Sequence, residues 1–436
     1  MRIEEQLRDA IDKQVGQPRA DETAWSNLQR RVESSNSSPE VAHGASHRLV
    51  AAIVAFAVFG AAVALFWAAT DNGPNVTAVS ADPLGTIPVG WTRLPLPPEE
   101  NAGTADVWTG TQLLSWGGYR GSDKPVADGF AFDPITQSWV SMPPAPAARS
   151  GAQAVWTGSE AIFLGGWDGN REQTGGFAFD PATSSWRGVR AAPVNTEGAV
   201  VVWTGTDVIA WGGQTRDTSE SSGAAYEPST DTWRRIADAP IALNLASGVW
   251  TGSEFIVFGS LVDPGNHAST KTAVGAAYDP TSDTWREIAP SDLSPQANAA
   301  VWQGNRMVAY DYLWNAEAYT PSTDTWQPLR DVPFEPSECY PDGAIVGAQV
   351  FAFGCGYVAI LDAGSDSWHK VQGGIGSETI EANAGTYELW RFATLVPAGD
   401  VLFLPAEGIT VKNGAPCYGC SGSPTSLWAY RPTAFD

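Results

Sequence analysis

Basic residues are scarce in this chain. Lysine and arginine number 25 against 48 aspartates and glutamates, a net charge of −23 at pH 7. Such a surface repels phosphate backbones, which excludes a nucleic-acid ligand. Histidine and cysteine are rarer still, with four of each, and no cysteine precedes residue 339. A Gly-x-Ser-x-Gly elbow and a phosphate-binding loop are both missing. Abundance lies elsewhere: 45 Gly, 31 Pro and 20 Trp in 436 residues, with 43% hydrophobic residues. That apolar content excludes global disorder, and the Gly, Pro and Trp content excludes a helix-rich architecture. Many short strands joined by tight turns are expected, in a repeat or barrel, because the chain is too long for one ordinary compact domain.

One segment lacks charge altogether. Residues 49–69 read LVAAIVAFAVFGAAVALFWAA. About 20 apolar residues span a bilayer core as a helix, and Trp67 suits the interface belt. Seven basic residues (Arg2, Arg8, Lys13, Arg19, Arg30, Arg31 and Arg48) precede the run, and the next after it is Arg93. The positive-inside bias places the N-terminus in the cytoplasm and the rest outside. With 48 residues ahead of it, the run reads as an uncleaved signal-anchor in the cytoplasmic membrane.

The stub, residues 1–48, holds two short helical patterns. Ile3, Leu7, Ile11 and Val15 form one stripe; Asp21 caps a second, with Trp25, Leu28 and Val32 on one side. Residues 1–35 read either as a surface tail or as a docking element for a cytoplasmic protein. The stub loosely resembles the N-terminal helices of actinobacterial single-pass membrane proteins, including anti-sigma factors, without the zinc-binding His/Cys pattern of many of these. Residues 70–85 read as a linker.

From 86 to 436 one cassette recurs. A first landmark is Trp108, Trp156, Trp203, Trp250 and Trp302, each followed by Thr-Gly or Gln-Gly. A second is Trp139, Trp186, Trp233, Trp285, Trp326 and Trp368. Five of these are preceded at seven residues by an aromatic: Phe132, Phe179, Tyr226, Tyr278 and Tyr319. The period suits four-stranded propeller blades with strands a to d, the c–d hairpin bringing both rings between neighbouring blades. The doublets Gly117-Gly118, Gly165-Gly166 and Gly212-Gly213, with the spaced aromatic and Trp, resemble kelch-repeat, galactose-oxidase-like propellers of a bacterial membrane-anchored type. Units four to six lose the doublet (Gly259-Ser260, Asp311-Tyr312, Gly354-Cys355), so local deviation is expected there. Trp91 in GWTRLPLPP has the strand-d pattern without its a, b and c, while the C-terminal unit lacks a strand d. The expectation is an all-β, seven-bladed propeller closed by residues 90–95.

The resemblance implies no copper centre here. Galactose oxidase holds copper with two histidines plus tyrosines, whereas only His267 and His369 lie beyond the apolar run. No cofactor or metal is expected. Asp231, Asp283 and Asp324 sit in Ser/Thr-rich runs before Trp that are similar to sialidase aspartate boxes, but they lack the Gly between Asp and Trp and read as c–d turns. Four cysteines allow three pairings, of which Cys339–Cys355 and Cys417–Cys420 are expected; a redox Cys-x-x-Cys and a four-cysteine zinc site are the rivals.

Propeller ligands usually meet the d–a and b–c loops around one channel mouth. The d–a candidates are Asn101, Arg149, Ser150, Glu197, Asn244, Gln296 and Tyr340. The b–c loops add Tyr119, Arg120, Trp167, Asp168, Arg171, Arg216 and His267. Exposed Trp, Tyr and Arg suit a glycan or peptide. The first functional expectation is therefore a membrane-anchored, extracytoplasmic binding or scaffold module for a glycan or protein. The second is a metal-independent carbohydrate-modifying enzyme similar to kelch-type sialic acid epimerases, with Arg149 and Glu197 as acid/base groups. The third is a transmembrane signalling protein whose stub binds a regulator.

Overall fold

The structure, a computed structural model, describes residues 82–120, 124–196, 198–213, 220–261, 273–294, 299–334, 341–354, 357–362, 364–373, 379–382, 385–412, 415–417 and 425–433. They all belong to the second of two units in the chain, Ser80–Asp436. The apolar run 49–69 and the stub lie outside the described residues, among which no helix is long and apolar enough to cross a membrane.

Seven antiparallel sheets make seven blades, each with strand order a-b-c-d. Blade 1 consists of Ala105–Trp108, Leu113–Trp116, Gly129–Asp133 and Ser138–Ser141. Blades 2 to 6 repeat this plan over 153–189, 199–236, 243–287, 299–328 and 342–370. Strands b and c are buried on both faces, as Ala161–Leu164 and Gly176–Asp180 illustrate, because each blade is sandwiched by two others. Strand d is largely exposed, apart from its Trp and an occasional apolar residue at its end.

Blade 7 closes the ring with both ends of the chain. Its strands are Val396–Ala398 (a), Val401–Lys412 (b), Thr425–Arg431 (c) and, as strand d, Gly90–Leu94. The register runs from Gly90 opposite Arg431, through Trp91 opposite Tyr430, to Leu94 opposite Leu427. The Trp91 ring lies 6.1 Å from that of Trp428 and 5.0 Å from that of Tyr430. Just ahead of strand d, Leu84 and Ile87 are buried in the core shared by blades 7 and 1. Arg431 fixes this lead: Nη1 donates to the carbonyls of Leu84 and Ile87 (3.0 Å each), and Nε donates to Asp400 (2.9 Å).

The blades are stitched by one periodic contact. The strand-d indole N–H donates to a carbonyl just past strand d of the preceding blade. Trp139 reaches Pro95 (2.7 Å), Trp186 Pro143 (2.7 Å), Trp233 Arg190 (2.8 Å), Trp285 Ala237 (2.7 Å) and Trp326 Ala289 (2.7 Å). The same rings pack at 4.9–5.2 Å on the strand-c aromatics of their own hairpins, as their spacing of seven requires. Such pairs add about 0.5–1.5 kcal/mol beyond area burial.

Two features depart from the sequence reading. The stretch Pro416 to Cys420 reads as part of a glycine-rich last b–c loop, yet Ala415–Cys417 form a strand paired to the end of strand b. Strand b itself extends to Lys412 and also pairs with Gly385–Ala393, which in turn pairs with Thr379–Ala382. Blade 7 thus carries a second patch of sheet at its b–c end. Trp390 within them is followed by neither Thr-Gly nor Gln-Gly and has no aromatic seven residues before it, which is why the repeat did not reveal them.

Candidate functional site

The b–c and d–a connections meet on one face of the ring. On blades 1 and 2 the glycine doublets bring them together. Gly118 has φ +85° and donates its N–H to the Arg149 carbonyl (2.8 Å), linking blade 1 to the entry of blade 2. A Cβ on Gly118 would fall 2.4 Å from the Ala102 carbonyl oxygen, so only glycine allows this approach. Beyond the doublets, Tyr119 bridges Ala102, and Trp167 bridges Ser150 through Ser150 N–H to Trp167 O (3.1 Å) and the reverse (2.9 Å). The loops over blades 1 and 2 are therefore held by backbone bonds and present a preformed surface.

Arg149 lies within this surface rather than on it. Its residue exposure is 9%, and its guanidinium stands over the Phe177 ring at 5.3 Å. Nη1 donates to the neighbouring Ala148 carbonyl (2.7 Å), while Nε is shut off from solvent and has no hydrogen-bond partner. Burial pulls its pKa below the usual arginine value, and the field of Asp168 works in the opposite direction. Asp168 is occupied locally: Oδ1 accepts the amides of Asn170 (2.8 Å) and Arg171 (2.9 Å), and Oδ2 accepts from Gln173 (2.7 Å). Those backbone bonds hold its carboxyl below the usual range. A buried guanidinium remains charged, and leaving one unpaired costs several kcal/mol on the order-of-magnitude scale for buried ions. Ser150 beside it is 2% exposed, and its Oγ also has no partner.

The other candidates divide. Asn101 accepts from Arg120 Nε (3.1 Å), and Arg120 also pairs with Glu99 and Asp128, so this cluster is committed to holding two connections together. Trp167 is half-buried and Arg171 exposed beside it. Asn244 lies within the strand Leu243–Trp250, next to a break in register, instead of on a loop. Glu197, Arg216, His267, Gln296 and Tyr340 lie outside the described residues, as do Cys339, Cys355 and Cys420. The acid/base pair Arg149–Glu197 and both disulfides therefore fall beyond what the structure describes. Among the described residues, no three His, Cys, Asp or Glu side chains converge as metal ligands.

The opposite face is a structural network that the sequence reading missed in part. Asp231, Asp283 and Asp324 occupy c–d turns with φ of 51°, 53° and 51°, in keeping with the turn reading. Each accepts a hydrogen bond from the strand-c tyrosine of its own blade: Tyr226 (2.8 Å), Tyr278 (2.6 Å) and Tyr319 (2.7 Å). Each also accepts an amide of the preceding blade: Arg190 (3.2 Å), Ala237 (3.0 Å) and Ala289 (2.9 Å). From that preceding blade, Arg187 and Arg286 hold Glu160 and Glu254 bidentately and donate to the Tyr226 and Tyr319 hydroxyls. Burial pushes all three tyrosines up to about 12. Where strand c carries Phe instead, at Phe132 and Phe179, the turn position is Gln137 or Ser184. The pairing of Tyr with Asp was the available signal.

The closed ring of seven sheets defines a β-propeller. Residues 102–310 match the family model of the KLHDC2/KLHL20/DRC7 Kelch-repeats domain, and that part of the ring is similar to kelch repeats. The match ends at Tyr310, where strand b of blade 5 ends. No curated protein matches the chain.

Proposed function

We propose that the ring is a protein-binding module whose ligand meets the loop face over blades 1 and 2, held outside the cytoplasm by the apolar run 49–69. Arg149 carries the reading: a guanidinium only 9% exposed and short of a hydrogen-bond partner, set among preformed loops, favours an acceptor that approaches its remaining open edge. Kelch propellers are typically protein-binding modules, which favours a polypeptide over a glycan. The anchoring half rests on the seven basic residues that precede the run and on the absence of any between it and Arg93.

Photo-crosslinking in intact cells tests the ligand. A photoreactive residue at Tyr119 or Arg171 is expected to capture a protein. The same residue at Gln137 or Ser184, on the c–d turns, is expected to capture none. Arg149→Met should weaken capture about tenfold or more, since a hydrogen bond to a charged group contributes about 1.5–3 kcal/mol. Capture only from the c–d turns, or glycan-array binding without a protein partner, overturns the reading. Protease protection in sealed vesicles tests the topology: residues 82–436 protected from the cytoplasmic side agree with it, and digestion of them there does not.

A further inference from the structure

The loop face is uneven. Strands b and c are joined by twelve residues on blade 1 (117–128), eleven on blade 2 (165–175), ten on blade 3 (213–222) and twelve on blade 4 (262–273). Blade 5 uses five (311–315) and blade 6 only two (355–356). These two blades thus carry the shortest b–c connections of the six.

The described surface there is aromatic, apolar and rigid. Asp311, fully buried, accepts the amides of Leu313 (2.9 Å), Asn315 (3.0 Å) and Ser294 (2.8 Å), which freezes the short turn. Within that turn Trp314 is buried with φ +70°, a backbone conformation that bulky residues adopt only when the surroundings force it. Its indole packs so tightly on blade 6 that a Cβ at Gly354 would lie 2.1 Å away, and Gly354 is the pairing partner of Tyr357. The turn therefore holds Leu313 out, 41% exposed, beside the hairpin that holds Tyr357 out, also 41% exposed. Phe334, half-buried, links Trp314 (4.7 Å) to Tyr357 (6.0 Å). Lys370 stands 3.3 Å over the Tyr357 ring and 5.8 Å from that of Phe334, and makes no ion pair among the described residues.

We propose that this sector is a docking groove for a peptide segment of a partner protein, one that sets a large apolar side chain next to a carboxylate. The apolar residue packs on Leu313, Phe334 and Tyr357, and the carboxylate pairs with Lys370. The choice of occupant follows from charge: Lys370, without an ion pair among the described residues, is a cation held by two rings on a chain of net charge −23. Because Asp311 has already ordered Leu313, docking incurs little of the usual cost of ordering a loop. The groove rests on the protein-binding reading and adds to it a second, chemically defined contact on the far side of the ring from Arg149.

The test uses the full-length chain in mild detergent and arrays of short synthetic peptides. One set presents Leu, Phe or Trp beside Glu; matched sets replace Glu by Lys, or the apolar residue by Ser. The first set is expected to bind. Leu313→Ser or Tyr357→Ser should weaken it about tenfold, and Lys370→Glu should shift preference to the Lys set, all without change in melting temperature. Equal binding of the Lys set, no binding of any set, or indifference to Leu313→Ser and Tyr357→Ser overturns the groove. Arg149→Met separates the two readings: peptide binding lost there but untouched by Leu313→Ser sinks the groove and leaves the loop face over blades 1 and 2 standing. Self-association of the chain abolished by Leu313→Ser identifies a second copy as the occupant and overturns the peptide partner.

Discussion

The interfaces from blade 7 to blade 1 and onward to blade 5 are built differently from the last two. Each of the first five has its indole N–H on a carbonyl of the preceding blade. At blades 5/6 and 6/7 the corresponding indoles, Trp368 and Trp91, have no hydrogen-bond partner although their nitrogens are shut off from solvent. Trp428 Nε1, Thr92 Oγ1 and both amide atoms of Gln349 share that condition. The 5/6 interface is compensated by Arg306 on Asp366 (3.1 Å) and by the Tyr310 hydroxyl on the Asp342 carbonyl (2.6 Å). The 6/7 interface relies mainly on apolar packing, with Phe351, Phe353 and Ile360 against Leu402 and Leu404. A ring can thus be uniform in its sheets and uneven in its seams, and the family match stops short of the uneven part.

Native-state hydrogen exchange should show the contrast most strongly. Inner-strand amides of blades 6 and 7 are expected to exchange roughly tenfold to a hundredfold faster than those of blades 2 to 4, because local opening there breaks fewer polar bonds. Uniform protection around the ring would remove the distinction.

Two tryptophan substitutions sharpen it. Trp285→Phe leaves the Ala237 carbonyl without its donor and should cost about 1–3 kcal/mol beyond the lost ring area. Trp368→Phe deletes an N–H that has no acceptor, so only the area term should remain. Equal losses in chemical denaturation would contradict the difference.

Smaller effects are expected at the rim. Tyr278→Phe should destabilise by about 1.5 kcal/mol, the scale of a hydrogen bond to a charged group, through loss of its bond to Asp283. Phe179, whose turn carries Ser184, should accept Tyr without gain.

The smallest effect concerns pH. Burial pushes Asp106 and Asp342 up to about 6; both are half-buried as residues, and Oδ1 of Asp106 is fully enclosed. Between about pH 4 and 6 the folded ring holds protons on these groups that the unfolded chain releases, so their contribution to stability falls as pH rises. Asp106→Asn and Asp342→Asn should flatten that decline in melting temperature. Aspartates held low by tyrosine and backbone donors, such as Asp283, act oppositely and lose their contribution only as pH falls below about 4.

The ring was legible because its landmarks are local. A Trp seven residues after an aromatic defines the c–d hairpin, and the stray Trp91 revealed how the ring closes. The indole acceptors were not legible, since each lies on another blade some forty residues away and is a carbonyl any residue can supply. Arg149 was picked out by its place in the repeat, but its burial depends on Phe177 of the neighbouring hairpin. Trp314 gave no local sign, because its left-handed backbone follows from Asp311 standing where blades 1 to 3 have Gly-Gly.

The clamp at Arg431 has a mechanical meaning. Tension arriving along the chain from residue 82 falls on the Arg431 guanidinium, which holds the Leu84 and Ile87 carbonyls, and on the Thr86 hydroxyl, which donates to the Pro134 carbonyl of blade 1, before any rung of the sheet is strained. A pull on that lead is borne by a clip at the seam where the seventh blade meets the first, ahead of the rest of the ring.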